Sequence, residues 1–163
     1  MMMTPIGLGR ELVQLDQPAP TFKRLLVPLD GSPLAEAVLP RVSELARLTN
    51  ARLTLLQVIG PAMPELSAYD IVRLPEDDEA LTTEARAYLS RVAGTLRERG
   101  LDVDTEIRFG DPAERITEET ALYQHDLVAM GTHARRGIDR LVIGSVADRV
   151  LRTARVPLLF VRP

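Results

Sequence analysis

The sequence predicts an α/β fold: an open, doubly wound five-stranded parallel sheet with helices on both faces. Two observations lead to this prediction. Short continuous apolar runs, typical of strands covered on both faces, alternate five times with segments of helical period. Several of the helical segments open with a serine or aspartate cap and a proline or an acid soon after it, as helix starts do. Such alternation is typical of right-handed crossover units in one parallel sheet.

Composition limits the class of protein. A chain of 163 residues that is 45% apolar and 26% charged is typical of one soluble globular domain. The net charge of −3 gives no basic field for nucleic acid. The chain has no cysteine, which excludes disulfides and thiol catalysis and fits a cytoplasmic protein. No apolar stretch approaches the roughly 20 residues of a membrane-spanning helix, so we expect no membrane partner.

The N-terminal 21 residues have no clear period and end in Pro18-Ala19-Pro20. We interpret 1–21 as a flexible leader outside the folded domain, which then covers 22–163. The leader's apolar residues could instead form a docking turn.

The first crossover unit follows the leader. Arg24–Asp30 is predicted as strand one, Ser32 and Pro33 as a helix start, and Arg52–Ile59 as strand two. The helix between them is indicated by apolar residues at helical spacing, namely Leu34, Val38, Val42 and Leu45. Gly60–Pro75 is a long proline-bearing stretch without a period, either a flap near the site or a tolerated insertion.

The remaining elements follow the same alternation. They are a helix over Glu76–Arg99, strand three over Val103–Phe109, a helix from Asp111 to about Gln124, strand four over Leu127–Met130, a helix from Ser145 to about Thr153, and strand five over Val156–Val161. Ser145 is interpreted as the N-cap of its helix, with Asp148 as the capping-box partner. His125 lies after a helix, where a protonated imidazole would complement the helix dipole.

Two polar loops leave strand ends, Asp30–Ser32 after strand one and Gly131–Ser145 after strand four. Ligands of doubly wound sheets bind beyond the carboxyl ends of the strands, where the strand order reverses. A strand order of 3-2-1-4-5 would bring both loops to one crevice. The free N–H groups of the helix that starts at Gly144-Ser145 would suit a phosphate.

The spacing of this second loop resembles a known motif. Gly131, Ala134, Gly144 and Ser145 follow the universal stress protein pattern Gly-x2-Gly-x9-Gly-(Ser/Thr), with Ala134 where the family has its second glycine. VPLDGS at strand one, LLQVI at strand two and VAMGTHARRGIDRLVIGSVADRVLRTARVPLLFVRP at the C-terminus are also similar to the family, so the resemblance covers Phe22–Pro163.

The resemblance implies the 3-2-1-4-5 sheet and an ATP site, because many members bind ATP. Asp30 would meet the adenine and ribose, Val58 and Met130 the base, and Gly131 would let the chain approach the ribose and phosphates. Gly144, Ser145 and Val146 would hold phosphate. The full set of implied cofactor-binding residues is Pro28, Leu29, Asp30, Val58, Met130, Gly131, His133, Ala134, Arg135, Arg136, Gly144, Ser145 and Val146. Each also fits a structural role, as turn former, core residue, glycine of positive φ or exposed charge.

Three functions remain under consideration. The first is a stress-response protein that binds ATP, with or without Mg²⁺, as a regulatory ligand. The second is a nucleotide-free interaction module in which Ala134 has closed the site, and the third is a slow ATP hydrolase. No Gly-x4-Gly-Lys-(Ser/Thr) or Gly-x-Gly-x-x-Gly motif and no hydrolase triad pattern occurs, so we expect no enzyme and assign no catalytic or metal residues.

Assembly is predicted from strand five. Residues 156–161 are apolar with no interior charge and would lie at a sheet edge, and such edges tend to pair. We therefore expect a homodimer through this strand, as is common among proteins of the resembling family. The sequence does not identify a further protein partner.

Overall fold

A computed structural model of the chain describes residues 22–60, 75–132 and 144–163. The elements in chain order are β1 (Arg24–Pro28), α1 (Pro33–Glu36), α2 (Leu39–Thr49), β2 (Arg52–Ile59), α3 (Pro75–Glu98), β3 (Val103–Phe109), α4 (Pro112–Leu122), β4 (Leu127–Gly131), α5 (Ser145–Thr153) and β5 (Leu158–Val161). The predicted leader 1–21 and residues 61–74 of the predicted long loop lie outside the described residues.

The five strands form one parallel sheet in the order β3-β2-β1-β4-β5, which confirms the predicted fold class and strand order. One face packs against α2 and α3 through a core that includes Leu25, Val42 and Leu89. The other face packs against α4 and α5 through a smaller core. Within the described stretches, no helix combines the length and the apolar character needed to cross a membrane.

Three predicted elements were wrong in their extent, and each difference lies at a proline. Strand one was expected to reach Asp30, but β1 ends at Pro28. The single helix expected after Pro33 is two helices, because Pro40 has no N–H to donate to the Glu36 carbonyl. The chain makes a tight turn there, in which the Val38 N–H reaches Ala35 O at 3.4 Å. Strand β5 begins at Leu158, after Pro157, and not at Val156.

Asp126 joins the N-terminal ends of the two central strands, β1 and β4. Its carboxylate accepts the backbone N–H of Lys23 at 2.6 Å and that of Arg24 at 3.2 Å. The Asp126 N–H in turn donates to Arg24 O at 2.9 Å. The start of β4 is therefore held in register beside the start of β1.

His125 was predicted as a protonated partner of a helix dipole, and its surroundings disfavour that charge. It is only 4% exposed, and its Nε2 lies 3.0 Å from Thr54 Oγ1 while its Nδ1 lies 3.2 Å from Glu119 O. Burial lowers the pKa of His125 below its usual 6.5. The neutral ring thus links β2 to the end of α4 inside the domain.

The burial of His125 makes stability depend on pH. The unfolded chain takes up a proton at this residue near its ordinary pKa, before the folded chain does, so the folded state loses stability as pH falls through that range. We expect the stability advantage of the wild type over His125→Gln to shrink between about pH 7.5 and about pH 5.5.

Urea unfolding of both proteins across this range measures the effect. Desolvation raises the pKa of the buried Glu119, so this residue favours the folded state as pH falls. Glu119 is present in both proteins, and its contribution therefore cancels in the comparison. A difference in unfolding free energy that did not change with pH would contradict the assignment.

Gly131 ends β4 against the backbone of α1. A Cβ at this position would overlap the Leu34 carbonyl oxygen and would lie 3.2 Å from Ala35 Cα. The glycine is therefore needed for a close approach of two backbones, whatever it does toward a ligand. Its φ is not positive, unlike that of Gly144, which is +95°.

This contact predicts a large effect from one methyl group. We expect Gly131→Ala to lower the free energy of unfolding by about 1–3 kcal/mol, because α1 must move away from β4. Gly94→Ala is a matched control, since Gly94 lies in α3 and a Cβ there would meet no atom within 4 Å. The control should instead gain about 0.5–1 kcal/mol in urea unfolding. Equal stability of Gly131→Ala and wild type would show that the backbones do not approach this closely.

Candidate functional site

The two central strands separate at their carboxyl ends. β1 and β4 are paired only at Leu25 with Leu127 and at Leu26 with Val128. β1 stays paired with β2 up to Pro28, and β4 stays paired with β5 up to Gly131. The strand order also reverses between β1 and β4, so the separation opens at the place where doubly wound sheets bind ligands.

A cleft of about 400 Å³ occupies this opening. Nine of the thirteen residues predicted from the sequence line it, namely Pro28, Leu29, Asp30, Val58, Met130, Gly131, Gly144, Ser145 and Val146. The volume falls in the range of about 300–1,000 Å³ that is usual for small-molecule sites. The other four predicted residues, His133, Ala134, Arg135 and Arg136, lie outside the described residues.

Six further residues line the cleft that sequence reasoning missed, namely Leu34, Ala35, Leu56, Pro112, Ile116 and Ala147. Leu56 belongs to β2, and Pro112 and Ile116 belong to α4. One signal for the α4 residues was present in the sequence. A helix that follows a parallel strand begins at the carboxyl edge of the sheet, so the predicted start at Asp111-Pro112 already placed this turn beside the crevice.

The inner part of the cleft is apolar. Leu56, Met130 and Ile116 are nearly or fully buried, and with Val58 they belong to the core between the sheet and α4 and α5. These side chains leave an apolar surface beside the separated strands. Such a surface suits the face of a flat ring system.

Asp30 stands at the outer part of the cleft, and its carboxylate has a defined role in the backbone. Its Oδ1 accepts the N–H of Ser32 at 2.9 Å, and Ser32 Oγ accepts the N–H of Ala35 at 3.1 Å as the predicted cap of α1. Asp30 is exposed to solvent. It therefore shapes the turn from β1 into α1 and also presents a hydrogen-bond acceptor at the cleft.

The start of α5 differs from the prediction by one residue. Gly144 is the N-cap, Ser145 is the first helical residue, and no side chain of the described residues caps the start of this helix. Asp148 forms no capping box with Ser145 and pairs with Arg152 at 2.9 Å. The φ of +95° at Gly144 explains the shift, because that backbone conformation favours glycine.

This start leaves hydrogen-bond donors available at the cleft. The first N–H groups of any α-helix have no acceptor within the helix, and here they belong to Ser145, Val146 and Ala147, which line the cleft. A Cβ at Gly144 would meet no atom of the described residues within 4 Å, so none of them crowds this helix start. The arrangement can hold an anion at one end and a flat apolar group at the other.

The two helices that flank the cleft are joined by an ion pair. Arg149 Nη1 of α5 lies 2.5 Å from Oδ2 of Asp111, the N-cap of α4. Partial burial opposes the charge on Asp111, but the N–H of Glu114 and the Arg149 guanidinium outweigh it and lower the pKa of Asp111. Asp111 is therefore ionised at neutral pH.

Comparisons with known proteins agree with this geometry. The model of the universal stress protein family matches residues 21–162. A universal stress protein of Methanocaldococcus jannaschii is 28% identical over 145 residues, which are 86% of this chain and 82% of that protein.

Two solved structures have the same fold. A crystal structure of a family member from Burkholderia pseudomallei is 28% identical, with a TM-score of 0.67 over 88% of this chain and 98% of that one. A family member from Arabidopsis thaliana with AMP bound is 17% identical, with a TM-score of 0.61 over 86% and 91% of the two chains. The family match extends over nearly the whole chain, and the chain therefore belongs to the universal stress protein family.

Proposed function

We propose that this chain binds ATP, with or without Mg²⁺, as a regulatory ligand in the cleft between β1 and β4. The observation that carries the proposal is one cleft with two chemically different ends, an apolar end beside Met130 and a start of α5 that offers free N–H groups. A nucleotide has the same two ends, a flat base and an anionic chain of phosphates. The family member with AMP bound supports this ligand class.

The base would occupy the apolar end. Val58 and Met130 would contact the adenine, with Leu56 and Ile116 behind it, and Asp30 would accept a hydrogen bond from the ribose. Pro28, Leu29 and Gly131 would form the floor through their backbones. Because Gly131 is already required by its contact with α1, its position beside the ligand follows from the fold.

The phosphates would lie at the start of α5. Gly144, Ser145 and Val146 would contact them through backbone N–H groups, and the exposed Ser145 hydroxyl, which caps no helix, would be free to donate as well. His133, Arg135 and Arg136, which precede α5 in the sequence, would also contact the phosphates, and the two arginines would add positive charge. The nucleotide would supply phosphate oxygens for the metal ion, and bound ATP would alter the dimer or a partner surface.

One added negative charge at the start of α5 should weaken nucleotide binding without lowering the stability of the fold. In Ser145→Asp the new carboxylate lies at the first position of α5, where the helix dipole favours it by about 0.3–1 kcal/mol. The same carboxylate would repel the phosphates, so we expect the affinity for Mg-ATP to fall about tenfold or more while the thermal stability is kept.

Isothermal titration calorimetry with Mg-ATP measures the affinity. Ser90→Asp is the matched control, because Ser90 is exposed on α3 and does not line the cleft. Ion-exchange chromatography of the small molecules released from denatured wild type tests for co-purified ATP or ADP. No released nucleotide and no heat of binding by wild type would reject the proposal and favour the nucleotide-free interaction module.

We propose further that two copies of the chain associate through β5. Among the described residues this strand is paired only with β4, so no strand of the described sheet covers its outer edge. Its four residues Leu158–Val161 are apolar and only partly buried. Pairing of two such edges would cover them.

The molar mass in solution tests this association. We expect size-exclusion chromatography with light scattering to give the mass of two chains, and Phe160→Lys, which places a charge in the edge strand, to shift the protein toward one chain. A wild type with the mass of a single chain at micromolar concentration would contradict the proposal.

A further inference from the structure

Arg149 connects the two helices that flank the cleft. It follows Ser145 by four residues and so lies one helical turn further along α5. Its guanidinium contacts Oδ2 of Asp111 at 2.5 Å and Oε1 of Glu114 at 3.9 Å, both at the start of α4. Arg149 does not line the cleft. The ion pair therefore spans the outside of the two walls and leaves the cleft itself free.

Asp111 is a fixed partner for this arginine. Its Oδ1 accepts the N–H of Glu114 at 3.0 Å as the cap of α4, and its Oδ2 faces Arg149. A carboxylate held by a helix start has little freedom to rotate away. The Arg149–Asp111 pair is thus more ordered than the usual pair of two flexible surface side chains, which contributes little.

The two helices are anchored to different degrees. α4 contributes Ala113 and Ile116 to the core, and its buried Glu119 pairs with Arg108 of β3 at 3.0 Å. α5 has nine residues, of which only Ala147 and Val150 are buried. α4 is therefore the fixed wall of the cleft, and α5 is the wall whose position needs a further contact.

Besides the apolar contacts of the core that they share, α4 and α5 are joined by polar contacts near both ends of α5. Thr153, the last residue of α5, has its Oγ1 3.1 Å from Thr117 Oγ1. The Arg149–Asp111 pair acts on the other half of α5, nearer to Ser145. Among the described residues, the contacts of Arg149 with Asp111 and Glu114 are the ion pairs between α4 and the half of α5 that would hold the phosphates.

We propose that Arg149 and Asp111 form a clamp that sets the position of the first turn of α5 relative to α4, and so tunes the affinity of the cleft for phosphate. The inference rests on the proposed nucleotide site and adds positioning residues that do not touch the ligand. It follows that loss of the clamp weakens the binding of phosphate-bearing ligands and leaves the binding of the base unchanged.

A double-mutant cycle tests the clamp. Arg149→Ala removes the cation, and Asp111→Asn removes the charge while keeping a good N-cap for α4. We expect each variant to lower the affinity for Mg-ATP about fivefold, and the double variant to be no weaker than either single one. Adenosine, which has no phosphate, should bind all four proteins alike in an NMR titration.

Arg152→Ala is the matched control, because Arg152 is also an arginine of α5 but pairs within the helix with Asp148. It should bind Mg-ATP as the wild type does. Arg149→Lys restores the charge without the second guanidinium contact and should recover part of the affinity.

Three results would overturn the clamp while the proposed function stood. These are an unchanged ATP affinity of Arg149→Ala, losses that multiply in the double variant, and an equal loss of adenosine binding, which would indicate a general disturbance of the cleft. A wild type that binds neither ATP nor adenosine would reject both the proposed function and the clamp. This result can be told apart from the other three, because in each of those the wild type still binds ATP.

Discussion

The pairing of β1 with β4 at only two positions is the constraint on which the rest of the site depends. Asp126 holds the two strands together at their base, and each strand then continues beside its outer neighbour. The carboxyl ends consequently diverge inside a sheet that is otherwise continuous. The opening is a product of topology and needs no loop of a particular shape. Its inner surface is supplied by core residues such as Leu56 and Met130, which the sheet would bury in any case.

The two faces of this opening are used differently. On the face of α2 and α3, α1 closes the gap, and its backbone comes so near to β4 that residue 131 cannot carry a side chain. On the face of α4 and α5 the gap stays open as the cleft. Gly131 therefore allows α1 to pack closely against β4 on one face of the sheet, and it also lines the cleft. The motif that first indicated a nucleotide site therefore contains at least one glycine with an independent structural reason.

Sequence reasoning succeeded where the determinants were local. Caps, prolines and apolar runs predicted the bounds of β2 and β3 and the start of α4 at Pro112. The strand order came from the family resemblance, and the point where that order reverses then located the cleft. It failed where a partner lies far along the chain. The burial of His125 depends on Thr54, 71 residues away, and the contact between Gly131 and Leu34 depends on how α1 sits on the sheet. The shift of the α5 cap from Ser145 to Gly144 depends on a backbone angle that residue types alone do not reveal.

The hydrogen bonds from Lys23 and Arg24 to Asp126 join residues 103 and 102 positions apart. Their formation closes a very long loop, and contacts of this kind are late and slow in folding. During synthesis β1, β2 and β3 can assemble from the segment that precedes α4, whereas β4, α5 and β5 leave the ribosome after them. The cleft cannot exist before that final segment has docked on the exposed side of β1. Until then Leu25 and Leu26 have no strand partner on that side, and the incomplete sheet exposes an open edge of the kind that pairs with other chains.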